Sequence, residues 1–117
     1  MSLVSMIKGR SGASGFGYAS TAEEVTQGLD LSGKTVLITG VGSGLGAESA
    51  RVLAMRGARV LGAARTKEKA AEACRSLGNG AIPLACELSD PASVRACVAD
   101  VVQQGIEVDV LLCNAGV

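Results

Sequence analysis

Four short apolar runs, each bounded by glycine or turn residues, alternate with stretches whose apolar positions recur at three- and four-residue spacing. The first run, residues 36–38 within 34–39, is too short for a helix and has a β-branched neighbour on either side, so it predicts a buried parallel strand. Runs at 58–64, 81–86 and 108–112 predict three more strands, and Pro83 puts the third near a sheet edge, where a missing N–H is tolerated. Between them, 47–56 carries Ala50, Leu53 and Ala54 on one helical face and ends at Gly57. Thr66 can cap a second helix through Ala70, Ala71, Ala73 and Leu77 to Gly78. Asp90 as cap with Pro91 at the first helical position opens a third, through Val94, Val98, Val101 and Val102 to Gly105. Upstream, Thr21 and Glu24 have capping-box spacing and predict a short helix before a stop at Gly28. The order β-α-β-α-β-α-β predicts an α/β fold, with helices on both faces of a parallel sheet. The expected strand order is 3-2-1-4, with a crevice between strands 1 and 4.

The turn after the first strand carries the candidate chemistry. Gly40, Gly42, Gly44 and Gly46 leave no side chain between the backbone and whatever approaches it, and the helix that follows presents unpaired N–H groups and a positive dipole end. That combination holds the pyrophosphate of a dinucleotide. The general fingerprint G-x-G-x-x-G/A can be laid over Gly42, Gly44 and Ala47, but it leaves Gly40 outside. Thr39-Gly40-x-x-x-Gly44-x-Gly46 accounts for more of the glycines, and Cys113-Asn114-Ala115-Gly116 closes the last apolar run.

These two motifs resemble the cofactor loop and the N-N-A-G element of the short-chain dehydrogenase/reductase family, the latter with its first Asn replaced by Cys113. The words Ser14-Gly15-Phe16-Gly17 and Ser20 onward to Lys34 resemble the leader of its retinol-dehydrogenase-like and plastid-envelope-like members. The resemblance implies the first half of an NAD(P)-binding Rossmann fold. It implies cofactor contacts from Thr39, Gly40, Gly42, Ser43, Gly44, Leu45 and Gly46, from Glu87 and Leu88, and from Asn114, Ala115 and Gly116. Thr39 is expected to tie the loop to the fourth strand, and Ser43 to offer its hydroxyl to a phosphate. Ala64 stands where NAD-using members keep an acid and Arg65 follows it, which implies NADP rather than NAD, since guanidinium matches phosphate with paired hydrogen bonds. An exposed Arg65 at a helix start and a solvated Glu87 at a strand end stay open as plain alternatives. The family's Tyr and Lys, four residues apart, are not found: the one tyrosine is Tyr18, with Ala22 four positions on, so no catalytic residue is assigned.

Composition narrows the rest. Hydrophobic residues at 48% against 19% charged exclude a disordered chain, and no apolar run approaches the roughly 20 residues that span a bilayer, so a soluble domain is expected. Eleven basic and eleven acidic residues cancel, which gives no footprint for nucleic acid. Basic residues do gather between Arg51 and Arg75, mostly as a solvated face. Cys74, Cys86, Cys97 and Cys113 are far apart and no histidine accompanies them, so no metal site is expected; they read as buried packing residues in a reducing compartment.

Residues 1–33 are expected to form an arm with a short helix, and residues 34–117 an NADP-binding half-domain that stops before the catalytic part. The arm, with Lys8 and Arg10 and no acid before Glu23, has some transit-peptide character, although the leader resemblance implies a native segment packed on the domain. The function expected is NADP(H)-dependent hydride transfer with a small carbonyl or alcohol substrate. The alternative is a non-catalytic module that binds or senses NADP(H). A homo-oligomer is expected of the full-length protein, in the cytoplasm or, alternatively, in a plastid or mitochondrion.

Overall fold

The computed structural model describes residues 13–17 and 19–116; residues 1–12, with Lys8 and Arg10, and Tyr18 lie outside the described residues. Helix α1 (Ala22–Val25) is capped by Thr21, whose hydroxyl accepts from Glu24 N. The domain then runs β1 (Thr35–Thr39), α2 (Gly44–Met55), β2 (Arg59–Ala64), α3 (Lys67–Cys74), β3 (Ile82–Ala85), α4 (Pro91–Gln103) and β4 (Val110–Leu112). All pairings are parallel and the order is β3-β2-β1-β4, with Val36 facing Val60 on one side and Val110 on the other. The edge position of β3 suits Pro83, which stands opposite Gly62.

Successive strand residues point to opposite faces, and that alternation sorts the core. Val36, Ile38, Val60 and Ala64 meet Ala50 and Ala54 of α2 and Ala70 of α3 on one face. Leu61, Ala63 and Leu84 meet Cys97 and Val101 of α4 on the other. Ile38, Leu61, Leu84, Val41, Val52 and Val60 are fully buried, each contributing about 1.5–3 kcal/mol relative to exposure. Gly62 sets the approach of α3, because a Cβ there would sit 2.6 Å from Cys74 Sγ.

Several boundaries differ from the sequence reading. Helix α2 begins three residues earlier than expected, at Gly44, since the chain has already turned at Ser43. Helix α3 ends at Cys74 and gives way to a turn before Gly78. Strand β4 begins at Val110, not residue 108, because Asp109 ends the ladder with its side chain: Thr35 N donates to Asp109 Oδ2 at 2.8 Å, while Asp109 N donates to Thr35 O at 2.9 Å. The apolar stripe of α4 is also wider than its buried face, leaving Val98 and Val102 exposed. Among the described residues no helix is long and apolar enough to cross a membrane.

Residues 22–31 dock on α2. Arg56 donates from Nε to Thr26 Oγ1 (3.1 Å) and from Nη2 to Glu23 O (2.8 Å), Arg51 pairs with Glu23 and Glu48, and Leu31 N reaches Arg56 O at 2.8 Å.

Candidate functional site

The carboxyl ends of all four strands converge on one cleft of about 270 Å³. At its floor β1 and β4 are tied together by a single hydroxyl. Thr39 Oγ1 accepts from both Asn114 N and Ala115 N at 3.1 Å, and Asn114 Nδ2 donates to Gly40 O at 3.3 Å. Gly40 adopts φ +69°, and a Cβ there would lie 2.9 Å from Ala115 Cα, so both conformation and contact require glycine. Gly46 is more constrained still: its Cβ would overlap the Gly40 carbonyl oxygen and lie 2.5 Å from Asn114 Nδ2. Val41, fully buried, anchors the loop, and its N–H donates to Ala63 O at 3.1 Å.

Ser43 precedes α2 in extended conformation and makes no side-chain cap to it. The first amides of a twelve-residue helix therefore have no side-chain partner from their own N-cap, and the Ser43 hydroxyl lines the cleft. Arg65, Glu87 and Leu88 line the same cleft from the ends of β2 and β3, together with Ala64 and Cys86. Arg65 Nε stands 3.7 Å from Glu87 Oε2, with the side chains 70% and 37% exposed. The Ser89 hydroxyl and N–H hold the Glu87 carboxyl below the usual carboxylate range, with Arg65 adding to the effect.

Of the residues singled out in the sequence, Thr39, Gly40, Ser43, Arg65, Glu87, Leu88, Asn114, Ala115 and Gly116 are brought to one cleft. Gly46 supports it from behind, and Gly42 and Gly44 have open space where a Cβ would lie. Leu45 does not join them: in the first turn of α2 it is 79% exposed. Sequence reasoning missed Ser89 and Ser93, which hold the acid in place; Glu87 N donates to Ser93 Oγ at 2.9 Å. Serines two and six positions after Glu87, ahead of and just inside a helix start, were the available signal.

The cysteines split. Cys74 and Cys97 are buried, and burial raises both thiols, Cys97 to about 11 with the neighbouring Cys86 thiol adding to the shift. Such thiols stay protonated at neutral pH. Cys113 is exposed, contrary to the expectation of burial, because β4 lies at the sheet edge. No cluster of potential metal ligands occurs among the described residues.

A doubly wound parallel sheet with a glycine turn and uncapped helix start at its strand-order reversal defines the class of nucleotide-binding α/β proteins. Residues 34–117 match the family model described as short chain dehydrogenase, and the chain belongs to that family of oxidoreductases. Similar proteins include the Brassica napus protein named short-chain dehydrogenase TIC 32 B, chloroplastic, 40% identical over all of this chain and 38% of that protein. Among solved structures, a metagenomic short-chain oxidoreductase in complex with NADP superposes with TM-score 0.67 at 38% identity, covering 74% of this chain and 40% of that one. The Brucella melitensis 3-ketoacyl-(acyl-carrier-protein) reductase complexed with NADH gives 0.68 at 38% identity, covering 75% and 36%. The chain spans about 38% of the length of the curated Brassica relatives it matches.

Proposed function

We propose that residues 34–117 are the cofactor-binding half of an NADP(H)-dependent oxidoreductase acting on a carbonyl or alcohol substrate, preceded by an arm of which residues 22–31 dock on it. The carrying observation is the cleft itself. Thr39, Gly40 and Asn114 fasten two strand ends around Gly40 and Gly46, where an added Cβ would clash, beside an uncapped helix start. A nicotinamide dinucleotide fits these residues. The open positions at Gly42 and Gly44 leave the loop backbone approachable for the pyrophosphate, Ser43 offers a hydroxyl, and Asn114, Ala115 and Gly116 form the floor. The cleft volume is just below the usual range for small-molecule sites, which suits the adenosine side of such a ligand rather than the whole of it.

Preference for NADP over NAD rests on Arg65 at the cleft edge with Ala64, not an acid, before it. When bound, the cofactor supplies or accepts the hydride. What this chain's residues do is bind and orient it and hold its phosphates.

Calorimetry with NADPH and NADH tests the reading. A charge-assisted contact is worth roughly 1.5–3 kcal/mol, and exposure of Arg65 moves the expectation to the lower end, a preference of about tenfold. Arg65→Ala is expected to reduce it to about twofold or less. Equal affinities in the parent chain, or an unchanged ratio in the variant, would remove NADP preference. Binding of neither would remove the cofactor reading altogether.

A further inference from the structure

Resting on that reading, we propose that Glu87 is a specificity-tuning residue: a fixed counter-charge that competes with the 2′-phosphate of NADP(H) for Arg65 and so limits the preference Arg65 creates. The residue is positioned for this in three ways. Its backbone N–H is tied to Ser93 Oγ at 2.9 Å, which fixes the loop after β3 against the first turn of α4. Its Oε1 accepts from Ser89 Oγ at 2.8 Å and from Ser89 N at 3.3 Å, which holds the carboxylate in one orientation. That orientation leaves Oε2 facing Arg65 Nε at 3.7 Å across the mouth of the cleft. The other nearby cation of the α3 start, Lys67, is engaged elsewhere, donating from Nζ to Pro83 O at 3.0 Å.

A phosphate arriving at Arg65 therefore meets a guanidinium already paired, and a carboxylate of its own sign within a Debye length. Two penalties follow, both specific to the ligand that carries the extra phosphate. Breaking an exposed pair is a small effect, about two- to fivefold in affinity, and relief of phosphate–carboxylate repulsion enlarges it. NADH has no group that calls on Arg65 in this way.

The test is calorimetric titration of the chain, Glu87→Gln, Arg65→Ala and the double variant with NADPH and NADH, at low and high salt. Glu87→Gln is expected to bind NADPH about three- to tenfold more tightly while NADH changes by less than about twofold, and the gain should shrink at high salt. On the Arg65→Ala background the gain should largely vanish. If Glu87→Gln weakens both cofactors equally, Glu87 contacts the shared adenosine part and the proposal is wrong. A gain of the same size without Arg65 would equally overturn it, pointing to bulk charge. Should the parent bind neither dinucleotide, the cofactor reading fails and this proposal with it, an outcome distinct from the other two.

Discussion

Gly46 shows how little room one position can have. Its α-carbon faces the Gly40 carbonyl and the Asn114 amide so closely that a methyl group must displace one of them, whereas Gly42 faces open space at an ordinary backbone angle. Gly46→Ala is expected to destabilise the domain by about 1–3 kcal/mol, the usual range for forced overpacking, and to abolish dinucleotide binding. Gly42→Ala is expected to leave the urea midpoint unchanged or slightly raised, because the substitution narrows the unfolded ensemble. Urea unfolding of both variants checks the contrast. At this scale the sequence was informative wherever chemistry depends on backbone: Thr39, Gly40 and Asn114 were legible from their types and spacing. Glu87 was legible as a cleft residue but not as a partner of Arg65, because that contact depends on the rotamers of two side chains from different strands.

Elements with local signals were legible as well. Asp90-Pro91 and Thr66 start their helices where capping chemistry says they should, with Asp90 Oδ1 accepting from Ala92 N and Thr66 Oγ1 from Lys69 N. The start of α2 was not, because glycines lower helix propensity and conceal a helix that tertiary packing imposes. A four-residue helix such as α1 has no stability of its own, so its presence depends on the Arg51 and Arg56 contacts. Arg56→Ala is expected to speed amide exchange in residues 22–31 by about fivefold, corresponding to about 1 kcal/mol of local docking, while β1 and β2 amides are unaffected. Exchange measured by mass spectrometry separates this from global destabilisation, which would accelerate both regions.

At the level of the molecule, alternation of strand and helix was enough to give a parallel sheet with right-handed crossovers, and the glycine turn, by pointing to the dinucleotide-binding arrangement, gave the order β3-β2-β1-β4. Val110 and Leu111 are 49% and 61% exposed on an edge strand, an apolar border whose outer backbone groups meet no further strand among the described residues. Residues 1–117 on their own are expected to self-associate with rising concentration, and Leu111→Lys to keep them monomeric. Light scattering after size-exclusion chromatography reads this directly. A parent chain that stays monomeric throughout would show that the border is innocuous.

The tie between Thr39 and the Asn114–Ala115 amides also has a kinetic side. Its partners are 75 and 76 positions apart, so the hydroxyl bonds that hold the glycine turn form only once the last strand has arrived beside the first. Contacts of such long sequence separation are slow to close, and β1, α2 and β2 can assemble through nearer neighbours while the turn is still unfastened. Competence for the proposed ligand is therefore expected only once β4 has docked beside β1. A dinucleotide that recognises the fastened turn captures molecules whose sheet is complete, and draws them out of the partly assembled population by mass action.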